Sequence, residues 1–152
     1  MAVEYLRGLC QRDGFAKGEF KVFGHPVSLA DVKLPVCAIA CETDHIAHWK
    51  GSFNGIKQMG SRDKTFLLSE SGHIAGIINP PSKDKYGHYT NEAPVAGDPE
   101  AWRKSATYNK GSWWPRWGAW LAGNSGPMVK ARDPADSLAP APGTYVTAQP
   151  AA

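Results

Sequence analysis

Asp44 and His73 are the two side chains in this 152-residue sequence best placed to move a proton together. Asp44 stands just past the apolar run Leu34–Cys41, and His73 just past the run Thr65–Ser69, separated from it by Glu70-Ser71-Gly72. If both runs are neighbouring strands, both residues sit at the carboxyl edge of a sheet, where open α/β sheets build their sites. A carboxylate at that edge accepts the imidazole Nδ1–H, fixes the tautomer and leaves Nε2 free as a base. Gly72 suits a tight turn that aims the ring into a cleft. Taken singly, an aspartate after a strand and a histidine after a glycine are ordinary loop residues. It is their joint placement that suggests catalysis. His45, beside Asp44, is a further imidazole that either donates to the pair or lies on the surface.

The elements needed to hold such a pair can be read from the pattern. Leu34–Cys41 is nearly all apolar and suits a strand buried on both faces, with Pro35 at its start, where a missing N–H matters least. Trp49, Phe53 and Ile56, followed by Met59, give the face of an amphipathic helix, which Gly60 ends as a C′ glycine. Thr65–Ser69 is the second strand. The order strand, acidic loop, helix, strand, Gly-His loop implies a crossover and a parallel sheet, hence an α/β fold. Val3, Leu6 and Leu9 suggest a short helix at the start. Asp98-Pro99-Glu100 is a helix start with its cap, its N1 proline and an acidic first turn. Pro80–Gly97 reads as loop.

No nucleophile accompanies the pair. Neither G-x-S-x-G nor G-x-C-x-G occurs, although acid followed by histidine is the order that follows the nucleophile in α/β-hydrolase-type enzymes. Cys10, in Gly8-Leu9-Cys10-Gln11-Arg12, lacks the second glycine and follows no strand. Cys37 and Cys41 lie inside the apolar strand, where a thiol behaves as a small apolar group.

Composition sets the outer bounds. With 42% apolar and 20% charged residues, the chain is neither disordered by composition nor a membrane protein. No apolar stretch approaches the roughly 18 residues of a membrane span, and Met1–Tyr5 shows no secretory signal. Three cysteines without a C-x-x-C pair indicate neither a disulfide framework nor a metal site, and fit a reducing cytoplasm. A net charge of +3, spread along the chain, does not argue for nucleic acid. Only Pro26 and Pro35 of the 12 prolines precede residue 80, and five of the 6 tryptophans follow residue 100. Trp113, Trp117, Trp120 and Leu121 share a helical face, read as core or interface packing. Trp113 and Trp114 are adjacent and cannot both face inward on one helix, so at least one is a candidate to line a cleft or meet a partner. Asn79-Pro80-Pro81 rims the same cleft or forms a rigid turn. Residues 127–152 are expected to be a mostly irregular tail, docked through Tyr145-Val146 onto a domain of residues 1–126.

Three motifs carry a resemblance: Glu42-Thr43-Asp44-His45-Ile46, then Ser71-Gly72-His73-Ile74-Ala75-Gly76-Ile77-Ile78-Asn79-Pro80-Pro81, then Gly111-Ser112-Trp113-Trp114-Pro115-Arg116-Trp117-Gly118-Ala119-Trp120-Leu121. In this order they resemble the C-terminal third of class I polyhydroxyalkanoate synthases, and Pro140–Val146 is similar to that family's end. The likeness runs from about Tyr5 to the C-terminus. It implies the last parallel strands and helices of an α/β-hydrolase fold and a cysteine acyltransferase that polymerises (R)-3-hydroxyacyl-CoA into polyester with release of CoA. It also implies a Cys–Asp–His triad in which Asp44 is the acid and His73 the base, the aspartate further helping to deprotonate the incoming 3-hydroxyl.

The family's cysteine lies upstream of the region matched, so the resemblance implies a C-terminal fragment, lacking the nucleophile elbow and inactive alone. His45, Asn79, Trp113 and Trp114 are its candidate cleft residues. No cofactor is expected, because the substrate carries CoA, and no metal. The expected partners are acyl-CoA, the polyester chain and its cytoplasmic granule, with a homodimer or pairing with the missing N-terminal part. Two other readings stand beside this one: a non-catalytic module that docks on granules or on a synthase, and a fragment of a hydrolase or thioesterase.

Overall fold

The computed structural model describes residues 1–132 and 141–148. The chain begins with the helix α1 (Ala2–Tyr5), which runs on through Leu6–Gln11 in wider π-type turns. A hairpin follows, β1 (Lys21–Val22) against β2 (His25–Pro26), turning at Phe23 and Gly24, both left-handed. Positive φ at both central residues matches the twist of paired strands.

The apolar run then forms β3 (Val36–Cys41), the amphipathic segment forms α2 (Trp49–Gln58), and the second run forms β4 (Lys64–Ser69). β3 and β4 are parallel, in the register Val36↔Lys64 to Cys41↔Ser69. This is the strand–helix–strand unit that the alternation of apolar and polar segments predicts. Two short strands extend the sheet: β5 (His88–Thr90) pairs antiparallel with β4, and β6 (Thr107–Asn109) antiparallel with β5. The sheet order is β3-β4-β5-β6, so the fold is mixed α/β and not purely parallel. Between β5 and β6 lies α3 (Pro99–Ser105), where Asp98 accepts the Ala101 N–H at 2.9 Å and Pro99 fills N1 as expected. After β6 comes α4 (Trp114–Gly123).

Side chains alternate across a strand, and the two sheet faces differ. Ala38, Ala40, Phe66 and Leu68 face α2 and α3, where Trp49, Phe53, Ile56, Val95 and Trp102 complete the core. Phe53, Phe66 and Trp102 meet edge-on or tilted, with ring centroids 5.1 to 5.7 Å apart. Such aromatic pairs add about 0.5–1.5 kcal/mol each beyond the area they bury. On the other face, Cys41, Leu67 and Ser69 are buried, Cys41 and Ser69 against Gly76 of the segment after β4.

Several expectations change. β3 is fully buried only at Ala40 and Cys41, because among the described residues it has a neighbouring strand on one side only; Val36–Ile39 are half-buried. α4 buries none of its residues, so the aromatic period of Trp117, Trp120 and Leu121 marks a surface helix instead of a core one. Tyr145 and Val146 form part of a 3-10 turn and are 94% and 81% exposed, so they do not dock the tail. Residues 133–140 and 149–152 of that expected tail lie outside the described residues.

Gly60 is needed for a different reason from the one its position suggests. The helix ends at Met59 in extended backbone, and Gly60 has no left-handed φ. A Cβ on Gly60 would collide with the Ala30 carbonyl oxygen and with Lys33 Nζ, and the Gly60 N–H donates to the Leu29 carbonyl at 3.3 Å. Backbone cannot move aside as a side-chain tip can. Gly60→Ala is therefore expected to lower stability by about 1–3 kcal/mol, seen as a lower urea midpoint with an unchanged slope.

Candidate active site

The parallel register of β3 and β4 ends both strands at one level, Cys41 beside Ser69. Asp44 and His73 leave the sheet from that level and meet: His73 Nδ1 lies 2.8 Å from Asp44 Oδ2. The other carboxylate oxygen, Oδ1, accepts two backbone N–H groups of its own turn, from Ile46 at 2.8 Å and Ala47 at 2.9 Å. The carboxylate is buried while the imidazole is 44% exposed, so the pair is anchored from beneath and open above.

An ionised carboxylate only accepts, so Nδ1 must carry the proton of a neutral His73, leaving Nε2 as an acceptor. The Ala47 N–H, with those of His73 and Ile46, outweighs the opposing effect of burial and pushes the Asp44 pKa down to about 2. The depressed value fixes the sign of the pH effect. The stability this carboxylate contributes is complete above its ordinary value of 3.8 and is lost as pH falls through about 2. Asp44→Asn should flatten the acid limb of a stability-versus-pH curve between those values, as measured by thermal melts, and leave the neutral-pH shape unchanged.

The other sequence candidates fall in three places. His45 is exposed and makes no hydrogen bond among the described residues. Asn79 is buried and its Nδ2 donates to the Tyr86 carbonyl at 2.9 Å, so it braces the 79–86 loop from within instead of standing at a rim. Trp113 and Trp114 both turn to the segment that carries His73: their indole N–H groups donate to the Gly76 carbonyl at 2.9 Å and the Ile77 carbonyl at 3.0 Å. Adjacent helical residues, about 100° apart, can both do this because the carbonyls they meet belong to adjacent residues of the facing segment, Gly76 and Ile77.

The tight turn before the histidine is also made differently. The left-handed residue is Ser71, with φ 72, while Gly72 is not left-handed. A non-glycine residue there carries a cost of order 1 kcal/mol. Three further contributors have only a faint signal in the sequence. Ser69 Oγ donates to the Gly76 carbonyl at 2.9 Å. Gly76 packs so closely on Cys41 Sγ and the Glu70 carbonyl that a Cβ has no room. Arg103 donates through Nε and Nη2 to Glu42 Oε1 at 3.0 and 2.8 Å, and its guanidinium lies 3.3 Å from the Tyr89 ring centroid, tying α3 to the end of β3.

None of the three cysteines hydrogen-bonds His73 among the described residues. Burial raises the Cys37 thiol, and burial with the nearby Asp44 charge raises Cys41 to about 11. Both are held as thiols at neutral pH, the reverse of what a nucleophile needs. Cys10 is exposed in the segment after α1. A hollow of about 920 Å³ beside that segment, lined by Arg7, Arg12, Glu19 and Phe20, includes neither Asp44 nor His73. Among the described residues no helix is long and apolar enough to cross a membrane.

No family model matches the chain. Curated relatives do. The chain is 44% identical over 145 residues to the poly(3-hydroxyalkanoate) polymerase subunit PhaC of Rhizobium meliloti, a match that covers 93% of the chain and 23% of the relative. It is 40% identical over 139 residues to the protein of the same name from Cupriavidus necator, covering 87% and 23%. It is 42% identical over 147 residues to the poly(3-hydroxyalkanoate) polymerase of Methylorubrum extorquens, covering 93% and 24%. The chain spans about a quarter of the length of the curated relatives it matches.

Proposed function

We propose that this chain, related in sequence to the poly(3-hydroxyalkanoate) polymerases, is the acid–base segment of such an enzyme. In this reading it supplies Asp44 and His73 to a centre whose nucleophilic cysteine lies outside these 152 residues. The observation that carries the reading is the 2.8 Å contact between His73 Nδ1 and the buried Asp44 carboxylate. His73 Nε2 takes the proton of the cysteine thiol, and the resulting thiolate attacks the thioester carbon of an (R)-3-hydroxyacyl-CoA. The imidazolium returns its proton to the departing CoA thiolate, and the acyl group remains on the cysteine. The 3-hydroxyl of a further unit, losing its proton to the same pair, then attacks that acyl group. The new ester bond lengthens the polyester as the bond to the cysteine sulfur breaks, and the departing thiolate takes the proton back from His73.

The activated thioester already carries its leaving group, so this chemistry calls for no cofactor and no metal. Among the described residues β3 has no partner along its outer edge, and it runs parallel to β4, which supports continuation into a longer parallel sheet of the α/β-hydrolase type. In this reading the working enzyme acts at the surface of a cytoplasmic granule formed by its insoluble polyester product.

The test is a chimaera. The matching segment of the Cupriavidus necator polymerase is replaced by this chain, and (R)-3-hydroxybutyryl-CoA is supplied while free CoA and polymer are followed. Release of CoA together with polyester supports the reading. CoA release with free hydroxy acid as the sole product indicates a hydrolase, and a folded but inert chimaera overturns the proposal in favour of a docking module.

A further inference from the structure

We propose that Trp113 and Trp114 are positioning residues for His73, their indole N–H groups capping the turn that carries the imidazole and so holding it on Asp44. The segment after β4 is a short turn of helical hydrogen bonds: Gly76 N–H to Gly72 carbonyl at 2.9 Å, Ile77 N–H to Ile74 carbonyl at 3.1 Å and Ile78 N–H to Ile74 carbonyl at 2.8 Å. Such a turn ends in carbonyls that its own backbone cannot satisfy. A left-handed glycine or water commonly takes that role. Here protein side chains take it: Gly76 O accepts from Ser69 Oγ and Trp113 Nε1, and Ile77 O accepts from Trp114 Nε1.

The clamp has little slack. Trp113 is 6% exposed, and its ring lies edge-on to Trp114 at 6.3 Å and to Trp117 at 5.8 Å. Beneath the turn, Gly76 touches Cys41 Sγ and the Glu70 carbonyl. Above it, nothing comparable holds the histidine. His73 has one side-chain hydrogen bond among the described residues, the bond to Asp44, and its neighbour Ile74 is 72% exposed. The ring is therefore aimed by its backbone, and the backbone is aimed by the two indoles. Both indole N–H groups being engaged in this way, Trp113 and Trp114 serve the site from behind the turn and do not offer those donors to a substrate.

The inference rests on reading His73 and Asp44 as the proton-transfer pair, but its test needs no turnover. The full 152-residue chain, with ¹⁵N-labelled histidine, is examined by NMR for the His73 Nδ1 proton held by Asp44. Trp113→Phe and Trp114→Phe keep an aromatic ring and remove the N–H. Each lost bond is worth about 1 kcal/mol, which corresponds to exchange of that proton roughly fivefold faster, and about thirtyfold faster in the double variant if the effects add. The amides of Leu67 and Leu68 in β4 should exchange at their original rates.

Unchanged Nδ1–H exchange in all three variants would overturn the proposal. So would equal acceleration at Leu67 and Leu68, which signals a general loss of stability, and so would a parent chain in which the proton is not held at all. The polymerase reading fails separately: an inert chimaera alongside a Trp-dependent His73 proton refutes the activity and leaves the clamp standing.

Discussion

His73→Ala in the chimaera is expected to lower CoA release by about a thousandfold, within the 10²–10⁴ that a positioned general base contributes. Without Nε2 as acceptor, a cysteine near its ordinary pKa is only a few per cent thiolate at neutral pH, and the departing thiolate loses its proton donor. Asp44→Asn should be nearly as damaging, for a reason the geometry supplies. The N–H groups of Ile46 and Ala47 hold one side-chain oxygen in place. An asparagine keeps its single oxygen on those donors and must turn its NH₂ towards His73. Nδ1 then becomes the acceptor, the proton moves to Nε2, and the imidazole is locked in the tautomer that cannot take a proton from the thiol. The two variants should thus lose activity together. Asp44→Asn also gives up the carboxylate's contribution to stability, so its neutral-pH melt lies below the parent's, and rates are compared at a temperature where every variant is folded. His45→Ala, altering an exposed ring outside this network, should stay within about threefold, as surface changes usually do. If His73→Ala kept a tenth of the parent rate, the assignment of the base would be wrong.

The meeting of Asp44 and His73 was legible because two apolar runs imply two strands, and a parallel register brings the residues beyond their ends to one edge. Asp44 is three residues past Cys41 and His73 four past Ser69, and those two strand residues are register partners. What the sequence could not disclose is whatever depends on contacts distant along the chain. The indoles of Trp113 and Trp114 bond carbonyls 37 residues away, and no local period announces that. The same holds for Gly60, whose constraint comes from the Ala30 carbonyl, on another segment. β5 and β6 have three residues each, His88-Tyr89-Thr90 and Thr107-Tyr108-Asn109, too short for a period-2 signal. β5 adds to the edge that β4 offers, and β6 to the edge that β5 offers. The periodic tryptophans of α4 gave the helix but left open core against interface, because a strong helical pattern specifies a helix and not what its apolar face lies against; the structure removes only the core half of that reading.

Phe53→Ala should produce the largest loss of stability, about 3–5 kcal/mol. Phe53 is fully buried at the middle of α2, its ring 5.2 Å from Phe66 of β4 and 5.7 Å from Trp102 of α3. It is the side chain through which helix, sheet and second helix touch. Truncation removes the transfer free energy of a whole ring and leaves a cavity walled by two rigid aromatics, which relax poorly into the space. Against a net stability of about 5–15 kcal/mol for ordinary domains, and with a core this small, the variant should be substantially unfolded at 37 °C. Phe53→Leu keeps most of the volume and should cost much less. Urea titration measures both losses, and the distinction from the tryptophan variants is sharp. Phe53→Ala should accelerate exchange at Leu67 and Leu68 together with the His73 proton, because it loosens β4 as a whole, whereas Trp113→Phe should accelerate exchange at His73 alone. A Phe53→Ala loss below about 1 kcal/mol would mean that the site sits on a loosely packed support, since a well-packed aromatic core does not give up a whole ring so cheaply.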